Sequence, residues 1–362
     1  YLPVHRLNNL QKYVGQGGTP TLDKMGGVTF ARVKSRVKEQ ILKMAYDLLA
    51  LYSARAVMKG HAFHLDRRAM EEFEAAFPYD ETPDQLAAIE AVYQDMSSER
   101  PMDRLICGDV GYGKTEVAMR AAFVAILDGK QVAVLVPTTV LALQHHRSFV
   151  ERFKEHPVRI DMLNRFRSTA DQKRVLKELK EGKVDIVIGT HRLLSSDMEF
   201  KDLGLLVVDE EHRFGVSHKE KIKRLRKQLD VLTMTATPIP RTLHMALSGM
   251  REFSLITTPP RDRLAIRTYH VPFSPSQIQE AIRHELKRGG QVFFIHNRVQ
   301  SIHAMARFLQ KLVPEASVGV AHGQMEERAL EKIMVEFIER KFDILCLSLI
   351  HISEPTRLRR IS

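Results

Sequence analysis

Two short stretches of the chain hold residue types suited to phosphate chemistry. The first is "GDVGYGKT", residues 108–115, which fits the pattern GxxxxGK[ST]. Glycines at this spacing let backbone N–H groups close around phosphate oxygens, and a helix start beyond them adds partial positive charge. In such a loop Lys114 reaches the β and γ phosphates and Thr115 offers its hydroxyl to Mg²⁺. Gly108, Asp109, Val110, Gly111, Tyr112, Gly113, Lys114 and Thr115 are therefore the candidate nucleotide-binding residues. The second stretch is "LGLLVVDEEHRFGV", an apolar run that delivers Asp209, Glu210, Glu211 and His212 at its end. Asp209 suits a role in holding Mg²⁺ through its water shell, and Glu210 one in orienting and deprotonating an attacking water. Carboxylates at a strand end also serve as helix caps, and a glycine-lysine match alone arises by chance. The two together specify a nucleoside triphosphatase, with Lys114, Asp209 and Glu210 as its catalytic set.

These residues require particular elements beneath them. "RLIC" reads as the strand that feeds the glycine loop and "TEVAMRAAFVAI" as the helix the loop opens. Around them the runs "DRLICGD", "QVAVLVP", "VDIVIGT", "GLLVVDEEH" and "VLTMTAT" are apolar at nearly every position and alternate with helical patterns. That is the pattern of strands buried on both faces of a parallel sheet. The expectation is a doubly wound α/β domain over residues 76–262, with its ligands at the carboxyl ends of the strands. A second, weakly similar series occupies residues 263–346: strand "RTYHVPF", helix 276–287, strand "QVFFIHN", helix 299–312, strand "SVGVAHG", helix 326–340 and strand "FDILC". Ahead of both, within a linker over 19–75, Val33, Val37, Ile41, Met44, Leu48 and Leu51 recur at spacings of three and four, which predicts a long amphipathic helix over residues 30–59.

Composition narrows the class. A chain 44% hydrophobic and 27% charged is ordinary for a globular protein and excludes disordered and collagen-like classes. No stretch approaches the roughly 20 apolar residues of a membrane helix, and no leader pattern is present, so a cytoplasmic protein without a membrane partner is expected. Cys107 and Cys346 lack metal-ligand spacing and read as core thiols. The net charge, 55 − 44 = +11, favours a polyanionic partner, most commonly nucleic acid. The basic runs "HKEKIKRLRKQ" and "ARVKSRVKEQ" sit at helical spacing and read as solvated faces.

In order along the chain, "ETPDQLAAIEAV", "GDVGYGKT", "PTTVLALQH", "DEEH" and "TATPIPRTL" resemble the motifs of superfamily 2 helicases and translocases. "RIDMLNRFRS" and "IGTHRLLSSDMEFKDLGLLVVDEEHRFGV" narrow the likeness to the subgroup of RecG-like branch-migration helicases and bacterial transcription-repair coupling factors. The second glutamate of "DEEH" and the Met-Asp pair before "RLICGDVG" lean toward the coupling factors. So does "YLPVHRLNNLQKYVG", similar to the end of their RNA-polymerase-interacting domain and assigned to residues 1–18. The resemblance implies two RecA-like lobes with parallel sheets, the first complete and the second truncated, preceded by a long linker helix. It implies ATP with Mg²⁺, movement along double-stranded DNA, and displacement of a stalled RNA polymerase. The full family member would also meet a damage-recognition factor of nucleotide-excision repair. Position by position, it implies that Gln85 contacts adenine and that His212, Thr233, Thr235 and Thr237 link the nucleotide state to the DNA. Thr138, Arg165, Arg167, Thr190, His191 and Arg192 would contact the DNA backbone, which suits a motor because phosphates carry no sequence information. His212 reads as a coupling residue rather than a metal ligand, since no second histidine stands at ligand spacing. Two other readings stay open: a RecG-like branch-migration helicase, and a catalytically inactive nucleic-acid-binding module.

The family would continue past "FDILC" with a Gly-Ile-Asp-Ile motif and an arginine-bearing element that reaches the γ-phosphate. Neither stands in this chain, so ATP binding with weak hydrolysis is expected of it, an arginine finger being worth ~10³ to 10⁵ in rate. "LSLIHISEPTR" instead resembles a translated transposon-end sequencing adapter, and residues 347–362 are expected to be a non-native tail.

Overall fold

The computed structural model describes residues 58–164, 167–215, 218, 221–222, 229–237, 251–261 and 266–348, with seven isolated positions between 35 and 53. The chain divides into two units, Tyr1–Val57 and Met58–Ser362. In the first, all seven described positions are helical. Most of the helix expected over 30–59 lies outside the described residues, as do residues 1–18, Arg165 and residues 349–362.

The second unit opens with α1 (Arg67–Ala75), whose first turn is capped by the Asp66 carboxylate, which accepts from the Ala69 N–H at 3.2 Å. α2 (Pro83–Met96) begins with a reciprocal cap: Thr82 Oγ accepts from the Gln85 N–H while Gln85 Oε1 accepts from the Thr82 N–H. Pro83 sits where its missing N–H costs nothing. Seven parallel strands follow: β1 (Asp103–Gly108), β2 (Gln131–Leu135), β3 (Ile160–Leu163), β4 (Ile186–Gly189), β5 (Leu203–Asp209), β6 (Asp230–Thr235) and β7 (Glu252–Ile256). They lie in the order β3-β4-β2-β5-β6-β1-β7. β1, β2, β4 and β6 are buried at every position, as their continuous apolar runs require. Among the described residues the layers include α3 (Lys114–Leu127), α4 (Thr139–Arg152) and α5 (Thr169–Glu181). α3 is buried along Glu116 to Ala125, and α1 closes over it with Phe73 stacked on Phe123 at 4.2 Å.

A smaller sheet follows, built from β8 (Val292–His296), β9 (Val318–Ala321) and β10 (Ile344–Ser348) in the order β8-β10-β9, all parallel. α6 (Pro275–Lys287) and α7 (Ile302–Leu312) pack one face through Ile282, Ile302 and Leu309. α8 (Glu327–Ile338) packs the other through Phe337.

Several expectations need correction. "RTYHVPF" forms no strand: its described backbone is irregular, and Tyr269, Val271 and Phe273 are exposed. Alternating apolar residues cannot make a strand without a backbone partner for their N–H and C=O groups. β3 and β7 were not anticipated, being short, and in β7 half exposed. β10 runs through Leu347 and Ser348, both buried, two residues past the strand end expected at Cys346.

Candidate active site

The sheet order sets the site. β6 lies between β5, which ends at Asp209, and β1, which ends at Gly108. With strands about 4.8 Å apart, the acidic and glycine elements emerge about 10 Å from each other at the same end of the sheet. Both line one cavity of about 670 Å³, whose walls include Lys114, Thr115, Asp209 and Glu210.

The loop between β1 and α3 turns through Gly111 at φ +80° and Gly113 at φ +77°, left-handed conformations that glycine adopts without penalty. Gly113 caps α3 with no side-chain hydrogen bond, so the first N–H groups of the helix remain available to an anion. The Lys114 amine donates to the carbonyls of Gly108 at 2.6 Å and Asp109 at 2.8 Å, spanning the loop mouth. Burial lowers its pKa below the ordinary lysine value, opposed by the charges of Asp209 and Glu210. Behind the loop, the Gln85 Nε2 donates to the Tyr112 carbonyl at 3.0 Å, which leaves both ends of its amide bonded. Val110 is exposed at the loop tip, while Thr115 follows Lys114 into the first turn of α3.

At the acidic end, Glu210 is held at φ 49°, ψ 49°, a conformation that costs a residue with a Cβ roughly 1–2 kcal/mol. Its N–H donates to Met234 O at 3.0 Å, and its Oε1 accepts from the Ala236 N–H at 2.9 Å, bonds that hold the turn. His212 Nδ1 lies 3.2 Å from its other oxygen. The Asp209 Oδ2 lies 2.9 Å from Nε2 of His145, a buried residue of α4. Thr235 and Thr237 share a 2.9 Å hydroxyl contact, and the Cys107 thiol of β1 donates to Thr237 O at 3.4 Å. The end of β6 is thus bonded to Glu210 on one side and to the glycine-loop strand on the other. Thr233, deeper in β6, accepts from Arg251, whose guanidinium also lies 2.9 Å from Asp103 and 3.7 Å from Glu211. Asp103 and Glu211, noted in the sequence as subgroup features, meet on one arginine.

The cavity is also lined by Phe77 and Tyr79, edge-to-face at 5.5 Å, and by Pro260. A buried charge network anchors this wall. Arg120, 1% exposed, lies 3.0 Å from Glu116 and 3.4 Å from Glu74, contacts Glu81, and sits 5.6 Å over the Phe77 ring. Arg152 adds a 2.9 Å contact to Glu116 and covers Phe73 at 3.8 Å. Burial acts to raise the Glu81 carboxyl, but the hydrogen bond from Arg120 holds it below the ordinary value. Asp84, beside Gln85, accepts from the N–H and hydroxyl of both Thr257 and Thr258 at 2.8–2.9 Å.

Sequence reasoning missed His145, Phe77, Tyr79, Asp84 and Arg251. Two of them lay in quoted motifs, His145 in "PTTVLALQH" and Asp84 in "ETPDQLAAIEAV", and neither had a role there.

The residues suit a nucleotide-borne cation. Thr115 and Asp209 both line the cavity and carry hard oxygen donors. Among the described residues no group of three or more His, Cys, Asp or Glu could hold a metal alone. Mg²⁺ commonly takes one or two protein oxygens plus substrate phosphates.

The described residues expected to touch DNA follow the neighbouring strands β3, β4 and β2, and Gln172 links two of them, donating to the Arg167 carbonyl at 3.0 Å and accepting from Arg192 at 3.3 Å. Thr138 caps α4, accepting from Leu141 N–H at 3.2 Å. Thr190 is buried. His191 stacks on His218 at 5.4 Å, and Arg192 makes a bidentate pair with Asp197 at 2.7 and 2.6 Å. Arg167 lies 3.0 Å from Asp161 and lines a cleft of about 860 Å³ together with Arg328, Lys332 and Lys341.

Residues 82–246 match the DEAD/DEAH box helicase family. The chain is 56% identical to the transcription-repair-coupling factor of Myxococcus xanthus over 97% of its own length and 29% of that protein's. Identity to the Bacillus subtilis and Escherichia coli proteins of that name is 54% and 52%, over 95% and 97% of the chain and 29% and 31% of theirs. The chain thus spans about three tenths of the curated relatives it matches. Among solved structures, RecG bound to a three-way DNA junction superposes with a TM-score of 0.65 at 33% identity, over 83% of this chain and 42% of RecG. The helicase MrfA bound to DNA shares the fold at 17% identity, TM-score 0.55, over 82% of this chain and 47% of MrfA. Among the described residues no helix is long and apolar enough to cross a membrane.

Proposed function

We propose that this chain, which carries the DEAD/DEAH box helicase domain and runs with the transcription-repair-coupling factors along nearly its whole length, is the ATP-driven motor of a double-stranded DNA translocase. The observation that carries the reading is the convergence of Lys114, Thr115, Asp209 and Glu210 on one cavity at the strand ends. The open start of α3 and the Lys114 amine would hold the phosphates, and Gln85 sets the loop behind them. Phe77 and Tyr79 offer aromatic faces to a base, and Asp209 and Thr115 would hold Mg²⁺, which supplies charge neutralisation of the phosphates when bound. Glu210, fixed by Ala236, would orient the attacking water and take its proton. Thr235, Thr237 and His212 adjoin Glu210 and so suit a role in passing the nucleotide state outward.

The DNA partner is supported by the net charge of +11 and by the basic cleft holding Arg167. Displacement of RNA polymerase and recruitment of a repair factor belong to this reading through the coupling-factor relatives. Identity of 52–56% to those relatives, against 33% to RecG, favours it over branch migration. The test is ATP turnover with and without double-stranded DNA. Stimulation by DNA, lost in Glu210→Gln, supports the motor; nucleotide binding that DNA never affects favours an inactive nucleic-acid-binding module.

A further inference from the structure

We propose that His145 is a positioning residue for the acidic end of the site: its ring N–H fixes the Asp209 carboxylate so that the remaining oxygen faces the cation accompanying the nucleotide. The inference rests on reading the cavity as a Mg²⁺-nucleotide site, and adds to it a residue from neither phosphate-chemistry stretch.

His145 is 6% exposed and lines the same cavity as Lys114 and Thr115. Its Nε2 lies 2.9 Å from Asp209 Oδ2. A carboxylate oxygen only accepts, so Nε2 carries the proton, and in the neutral ring Nδ1 is a bare lone pair. Nδ1 is the atom that is buried without a hydrogen-bond partner, as this tautomer allows; a second N–H there would be stranded. The ring is buried and lies 6.3 Å from the fully buried Phe149, one turn on along α4. One oxygen of Asp209 is thereby engaged before any ligand arrives. An unrestrained carboxylate would have to be ordered when the cation binds, and outer partners of this kind tune metal affinity.

A purely structural histidine would lower stability without altering cation dependence, and this separates the two roles. A fluorescent ADP analogue is titrated against wild type, His145→Gln and His145→Phe, first in EDTA and then across Mg²⁺ concentrations. Gln places a donor near Nε2, whereas Phe fills the space and donates nothing. All three should bind alike in EDTA. Wild type and Gln should respond at similar Mg²⁺, while Phe should need about 10-fold more or beyond. His145→Asn, too short to bring its donor to Asp209, should follow Phe and serves if Phe does not fold. Equal Mg²⁺ midpoints for wild type and the non-donating variants would overturn the proposal, as would an equal shift in Gln. If wild-type binding ignores Mg²⁺ altogether, the reading of the site falls, and the inference with it.

Discussion

The Gln85 side-chain amide donates to the Tyr112 carbonyl at 3.0 Å and fills the space where a Cβ on Gly113 would stand. The glycine loop is therefore shaped from behind by a residue of another helix, whose other amide end closes the cap of α2. Gln85→Ala removes both amide bonds and strands the Thr82 N–H, costing about 1–3 kcal/mol. Denaturant unfolding should show that loss together with weaker nucleotide binding. Gly113→Ala adds a left-handed Ala and a collision with Gln85, so it should abolish nucleotide binding outright; unchanged binding would refute this packing.

Arg120 is almost fully buried among Glu74, Glu81 and Glu116. Removing one partner of such a network leaves charges uncompensated, typically at a cost of 3–5 kcal/mol. Arg120→Ala should destabilise the unit by that order in urea unfolding and loosen the wall bearing Phe77. A loss under 1 kcal/mol would mean that solvent satisfies the three carboxylates.

Four hydrogen bonds from Thr257 and Thr258 lower the Asp84 pKa to about 2. A carboxyl depressed on folding contributes stability that is complete above its unfolded pKa, about 3.9, and is lost as pH falls through the folded value. The stability gap between wild type and Asp84→Asn should thus be constant near neutrality and shrink between about pH 4 and pH 2. A gap that widens on acidification would contradict the assignment.

Glu210→Gln keeps an oxygen to accept from the Ala236 N–H and so preserves the turn. Nucleotide affinity should stay within a few-fold of wild type while the turnover the chain supports falls by about 10²-fold or more, the usual contribution of a general base. Equal turnover would remove Glu210 from the chemistry.

Much of this was legible in the sequence, for identifiable reasons. The strands buried on both faces announced themselves as apolar runs, and the glycine loop lay in register between strand and helix. β7 escaped because its alternation, Glu252-Phe253-Ser254-Leu255, is only four residues long and it lacks the continuous apolar run of the central strands. "RTYHVPF" misled because it alternates without a partner strand to complete it. His145 and Arg251 were invisible for another reason: their partners lie 64 residues away for His145, and at Asp103, Glu211 and Thr233 for Arg251, brought near only by sheet order. Arg120 and Glu116 stand at helical spacing, but Arg152 and Glu81 join them only in the folded unit.

The measurement that tests the account most directly is Mg²⁺-dependent binding of a fluorescent ATP analogue by wild type and by Lys114→Ala. Saturable, Mg²⁺-dependent binding in wild type, weakened at least about 10-fold when the amine across the loop is removed, is the predicted result. Equal binding by the two proteins, or none by wild type, would contradict a phosphate site between β1 and α3.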